Sequence, residues 1–171
     1  MNGYKLVDGS LSSIYKVGDE FEVVGRNIGS KVSIGDVVKF YRDDKTDSPW
    51  FHDGSWCCAW DSLKPTPETK RKAHYRETGK WLVLEGDYVV HSDMTFKQFK
   101  EWCDAAKACG FRLDHVNPNV CVITFADDEG DLVSSWYTDI GAKTNTTDEF
   151  LEFLATEEKA MSKFKVGDKV K

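Results

Sequence analysis

Hydrophobic and polar residues alternate with period two through the first third of the chain. In "EFEVVG", Phe21 and Val23 alternate with Glu20 and Glu22, the pattern of a half-buried strand. Gly18-Asp19 just before it is turn chemistry. "IGDVVKFYRDD" repeats the device, with a Gly35-Asp36 turn, a strand over Val37–Arg42 and an acidic turn at Asp43-Asp44. After Pro49 come "WF", the turn "HDGS" and "WCCAW", where Trp56, Cys58 and Trp60 point one way and Cys57 and Ala59 the other. Short strands between Gly/Asp turns, with no long helical pattern, predict a small closed or nearly closed β-barrel.

The pattern changes after Pro65 and Pro67. "TPETKRKAHYRETG" is a charged connector whose plain reading is a solvated linker or short helix. "KWLVLEGDYVVH" predicts a strand pair or one bulged strand. A helix follows, with Thr95 and Gln98 as a capping box, Gly110 as its stop, and Phe96, Phe99, Cys103 and Ala106 as a core stripe flanked by Trp102 and Cys109. "FRLDHV" reads as an edge strand. "VCVITFA" and "LVSSWYTD" flank the turn "DDEGD", a hairpin signal. Thr146 and Glu149 offer a second capping box before a helix that aligns Phe150, Phe153, Leu154, Met161 and Phe164. The order is β-α-β-β-(β)-α.

The chain closes on "FKVGDKVK", so Lys165-Val166-Gly167-Asp168 echoes Lys16-Val17-Gly18-Asp19. Three readings compete. It is the last strand of a ferredoxin-like β-α-β-β-α-β domain, the first strand of a truncated barrel repeat, or a strand pairing back onto the first barrel.

"KVGDEFEVVG", "GDVVKFYRDD" and "WDSLKP" resemble the small SH3-like (KOW-like) barrels of tailed-phage accessory proteins, over about residues 14–66. The resemblance implies strands opened by Val-Gly-Asp and a Trp-bearing strand ending in a Leu-Lys-Pro step. Such barrels bind peptides, nucleic acids or nothing known, so the fold leaves function open. The expected fold class is an N-terminal SH3-like small β-barrel followed by an acidic α+β sandwich, with a ferredoxin-like topology as one form of it. The expected boundaries are 1–66 for the barrel, 67–80 for a basic connector, 81–161 for the acidic domain and 162–171 for the terminal strand or truncated repeat.

Charge sharpens this division. The net charge of −6 is distributed as −2 over 1–67, +3 over 68–80, −10 over 81–161 and +3 over 162–171. Nucleic-acid affinity comes from neutralising phosphates, so an acidic body argues against it. No apolar run approaches the ~18 residues of a membrane span, and "MNGYKLVDGS" lacks an apolar signal region, which predicts a soluble, cytoplasmic protein. The five Cys are an odd count without a CxxC pair, so reduced thiols are expected.

Candidate chemistry is sparse. Cys103, Cys109, His115 and Cys121 recur every six residues, a spacing that turns helical ligands apart, and Cys57-Cys58 with His52 is no better, so no metal and no cofactor are expected. Cys58 between Trp56 and Trp60 lies in apolar surroundings that quiet a thiol. "ADDEGD" lacks the ligand pattern of a calcium loop. The run from about 95 to 161 has the element order of a double-stranded-RNA-binding domain, but "TTDEFLEF" places acids where phosphates need bases. No catalytic motif is present.

Two aromatic surfaces remain. Trp50, Phe51, Trp56 and Trp60 are candidates for a peptide or base-stacking groove, and Trp136-Tyr137 on adjacent strand positions should leave one ring exposed. Lys70, Arg71 and Lys72 are the basic candidates. The expectation is a non-enzymatic binding protein, a phage or mobile-element accessory protein inhibiting a host factor that presents a basic surface. Nucleic-acid binding through the barrel and connector, a nucleotide-like ligand held between rings, and an enzyme using a Cys or His are the rivals.

Overall fold

The computed structural model describes residues 6–7, 10–11, 14–25, 32–42, 50–51, 56–57, 59–117, 121–136, 141 and 143–162, with the side chains of 6, 7, 10, 11, 56, 57, 161 and 162 excepted. The chain is mixed α and β and forms two compact units, residues 1–79 and 80–171. No helix among the described residues is long and apolar enough to cross a membrane.

In the first unit, β1 (Leu6–Val7) and β2 (Ser10–Leu11) form a two-stranded ladder. The main sheet is built from β3 (Glu20–Val23), β4 (Val37–Arg42), β5 (Trp50–Phe51), β6 (Trp56–Cys57) and β7 (Leu63–Pro65), in the order β6-β5-β4-β3-β7. All neighbours are antiparallel. A 3-10 turn, Trp60–Ser62, precedes β7. The alternation read from the sequence sets the core: Phe21, Val23, Val38, Phe40, Phe51, Trp60 and Leu63 are buried together. Their rings meet mostly edge to face, with Phe21 and Phe51 at 5.6 and 6.4 Å from Trp60.

The repeated Gly-Asp phrase has a structural meaning. In each copy the Asp carboxylate accepts the N–H three residues back, Lys16 N to Asp19 Oδ2 at 2.9 Å and Ser33 N to Asp36 Oδ2 at 2.8 Å. The Asp N–H returns to the carbonyl of that same residue, at 3.0 and 3.1 Å. Gly18 and Gly35 take φ of +94° and +95°, which this turn requires at its third position. Each glycine then donates across the β3–β4 ladder, Gly18 to the Phe40 carbonyl and Gly35 to the Val23 carbonyl, both at 2.8 Å. Phe40 and Val23 donate back to the Asp19 and Asp36 carbonyls. The two turns are therefore related by a local two-fold axis through the ladder. A third turn, Leu84 to Asp87, repeats the geometry ahead of a strand of the second unit. The copy at 165–168, with its three readings, lies outside the described residues.

The segment expected to be a connector is a helix of the first unit, α1 (Pro67–Thr78), capped by the Thr66 hydroxyl and ended by Gly79 in the left-handed region. It buries Thr69 and Ala73 and lies against β3 and β7.

The second unit contains β8 (Asp87–Val90), α2 (Phe96–Ala108), β9 (Arg112–His115), β10 (Ile123–Ala126), β11 (Asp131–Ser135), β12 (Thr144–Asn145) and α3 (Thr147–Ser162). Its sheet has the order β12-β8-β10-β11-β9. β8 and β9 run parallel with the β10–β11 hairpin between them, a split β-α-β unit. β9 pairs parallel with β11, so the three strands after α2 are not a meander and the RNA-binding topology does not form. Val89, Ala126 and Leu132 on the sheet pack with Phe99, Trp102, Cys103 and Ala106 of α2 and Phe150 of α3.

The helix stripes need two corrections. Trp102, expected on the flank, is wholly buried, while Phe96 at the first helical position is 71% exposed. The Thr95–Gln98 capping box forms; before α3 the Thr146 hydroxyl donates to the Tyr88 carbonyl at 3.2 Å. "KWLVLEGDYVVH" makes one strand, not two; Trp81 and Val83 reach the core from an irregular segment.

Candidate binding surface

The aromatics of the first unit divide. Phe51 and Trp60 are 0% and 6% exposed and hold the core, so they do not line an open groove. Their burial follows from parity, since Phe51 pairs with Phe40, itself inward-facing. Trp50, on the alternate face, is half-buried beneath the Arg42 guanidinium at 5.5 Å. The Trp56 side chain, Cys58 and His52 lie outside the described residues.

The most exposed apolar side chains described in this unit are aliphatic. Val17, Ile34 and Val37 are 72%, 65% and 51% exposed, Val17 and Ile34 being the residues before Gly18 and Gly35 in the two related turns. Val37 faces outward by the alternation of β4, whereas nothing in the hydrophobic pattern separates Val17 and Ile34 from core residues, because turn residues fall outside that alternation.

The two turn carboxylates differ. Asp19 is buried beneath α1 and accepts Arg76 Nη1 at 2.5 Å and Nη2 at 2.9 Å, and Nη1 also reaches the Ile14 carbonyl at 2.8 Å. This pairing raises the Arg76 pKa further above its ordinary value. Glu20 N donates to the Thr69 hydroxyl at 2.8 Å and Thr66 N to the Glu20 carbonyl, which fixes the start of α1 on the same turn. Asp36 is exposed.

The basic candidates are modest. Lys72 forms an i,i+4 pair with Glu68, and Lys70 and Arg71 are half-buried on α1. They do not stand out as an isolated phosphate-binding cluster.

In the second unit Trp136 is 61% exposed at the end of β11, and Tyr137 lies outside the described residues. The surrounding chain is the acidic portion, −10 over residues 81–161.

The second unit also holds a hydrogen-bonded chain that sequence reading did not find. His91 Nδ1 lies 2.9 Å from the Cys121 carbonyl, and Nε2 lies 2.6 Å from Thr124 Oγ1. Thr124 Oγ1 is 2.8 Å from Ser134 Oγ, which accepts the Asn117 N–H at 2.9 Å. A carbonyl only accepts, so Nδ1 carries a proton, and in the neutral ring Nε2 accepts from Thr124. Thr124 is fully buried and both imidazole nitrogens are engaged, so the chain ties β8 to β10, β11 and the Asn117 segment and offers no accessible base.

Cys103, Cys109 and Cys121 are free thiols. Burial, with a smaller contribution from Asp104, pushes the Cys103 thiol up to about 12, opposite to what a nucleophile needs. At the β10–β11 tip, carboxylate oxygens of Asp127, Glu129 and Asp131 cluster within 4.8 Å. Asp127 Oδ1 already accepts the Glu129 and Asp131 N–H groups, and Arg112 forks onto Asp131 at 2.5 and 2.7 Å. That arrangement closes a hairpin.

Comparisons with protein-family models, curated proteins and solved structures returned no match to this chain.

Proposed function

We propose that this protein is a non-enzymatic binder that works by occupying a protein partner, as a phage or mobile-element accessory protein acting on a host factor in the host cytoplasm. The observation that carries the reading is Trp136, 61% exposed within a portion of chain whose net charge is −10. An exposed indole in a strongly acidic stretch of chain suits a protein surface with basic groups around an apolar centre, because the charge steers encounter and the ring supplies desolvated area.

We assign the first unit to the SH3-like barrels. Support comes from the strand order β6-β5-β4-β3-β7, the 3-10 turn before β7, and the resemblance of residues 14–66. The most exposed described apolar side chains of this unit are Val17 and Ile34 of the two turns, while Phe51 and Trp60 are core. Within the second unit, the split β-α-β supports a ferredoxin-like relative with an added hairpin strand. Nucleic-acid binding is the weaker reading, because Lys72 is paired and the larger charge is negative.

The test is capture from host lysate by the intact chain, with native mass spectrometry of what is retained. A basic protein held at low salt and lost with Trp136→Ala supports the reading. Retained nucleic acid or nucleotide, or capture indifferent to Trp136→Ala, sinks it.

A further inference from the structure

We propose that the Ser33-Ile34-Gly35-Asp36 turn is a docking site for an arginine carried on a helix of a protein partner. This rests on the protein-binding reading and names a contact within it.

The chain already contains one such complex. The Lys16-to-Asp19 turn receives Arg76 from α1 as a fork on the Asp19 carboxylate. The Ser33-to-Asp36 turn has the same backbone, the same glycine φ and the same carboxylate placement, related by the two-fold axis of the β3–β4 ladder. At the first turn the carboxylate is covered; at the second it is exposed. One Asp36 oxygen holds Ser33 N–H, as one Asp19 oxygen holds Lys16 N–H while Arg76 still binds. The turn hydrogen bond therefore does not compete with a guanidinium.

The flanks specify the partner further. Val37 stands where the first copy has Glu20, and Glu20 is bridged to Lys39 at 3.2 Å. Val37 and Ile34 are 51% and 65% exposed on either side of Gly35-Asp36. An arginine stem packs on such aliphatic groups while its head forks onto the carboxylate; a lysine lacks the fork. The occupant is thus an arginine on a helix with apolar residues one turn away.

The experiment titrates the intact chain, followed by amide NMR, with a blocked synthetic peptide of its own residues 66–79. Intramolecular α1 already fills the Asp19 turn, so the peptide reports on the Asp36 turn. The expected result is shifts at Ser33, Gly35 and Val37 that vanish in Asp36→Asn and shrink with the Arg76→Lys peptide. Asparagine keeps the oxygen that holds Ser33 N–H, so the turn survives. Ile34→Arg, at an exposed position, should abolish the shifts independently. A flat titration, shifts unchanged in Asp36→Asn, shifts at Gly18 and Asp19, or shifts confined to the acidic unit would each overturn the proposal. An empty lysate capture would defeat the binding reading without touching this titration, and a flat titration would leave capture through Trp136 standing.

Discussion

Asp19 takes both prongs of Arg76, and the pair holds the last turn of α1 on the strand junction that opens β3. The carboxylate is 3% exposed and the guanidinium 24%. Arg76→Ala leaves a buried charge with only the Lys16 N–H among its described partners, a loss of about 2–3 kcal/mol, below the full range for buried pairs because Arg76 is partly solvated. Urea unfolding of the intact chain measures it. Asp19→Asn with Arg76→Ala should cost less than the sum of the two single changes. A loss under about 0.5 kcal/mol would mean the pair behaves as a surface bridge.

Gly18 and Gly35 give a second test of the internal symmetry. A Cβ at either position meets nothing within 4 Å, so the cost of alanine is that of the backbone alone, at φ of +94° and +95°. Each substitution should lose about 1–2 kcal/mol. The two losses should agree within a few tenths. Unequal midpoints in denaturant would show that the turns, alike in geometry, are not alike in energy.

How far the sequence reached depends on which force positions each residue. Phe21, Val23, Val38 and Phe40 were legible because strand parity alone buries them. The Thr95–Gln98 box was legible because it is local. α1 was not legible as a docked helix: it seats itself through Thr69, Ala73 and Arg76, only one of them apolar, so hydrophobic periodicity carries no signal. The donation of the Thr146 hydroxyl to the Tyr88 carbonyl was not legible, because that partner is far away in sequence. β12 is two exposed polar residues, Thr144 and Asn145, paired on β8, and no pattern marks them. The Gly-Asp turns were visible as turns, but the difference between Asp19 and Asp36 comes from which one lies under α1.

The chain His91–Thr124–Ser134 leads to a prediction about polarity. The Cys121 carbonyl places a proton on Nδ1, and in the neutral imidazole Nε2 then accepts from Thr124, which accepts from Ser134. Nitrogen chemical shifts of His91 should report that tautomer, and a proton on Nε2 would refute the assignment. Thr124→Val is nearly isosteric and leaves both His91 Nε2 and the Ser134 hydroxyl short of a partner, for about 1–3 kcal/mol. Ser134→Ala removes the end of the chain and should cost less.

Cys103 connects burial to a pH dependence whose sign is fixed. Its thiol is raised from 9.0 to about 12, first by burial and then by Asp104, with Lys100 opposing. The folded protein therefore keeps a proton that the unfolded chain releases above pH 9. Between pH 9 and 12 the native state binds more protons, so stability falls as pH rises; below pH 9 the contribution is fully present. Tyrosines and lysines titrate in the same window, which makes the difference between variants the informative quantity. Cys103→Ala should start less stable at pH 8, by the cavity left beside Phe99 and Ala106, and should then lose less stability than wild type on going to pH 11. In the same protein a maleimide at pH 8 should label Cys109 and Cys121, both half-buried, well before Cys103. Parallel stability curves for wild type and Cys103→Ala would show that the thiol titrates alike in the folded and unfolded chain, and labelling of Cys103 as fast as Cys121 would show that α2 opens locally from the core it shares with Val89 and Leu132.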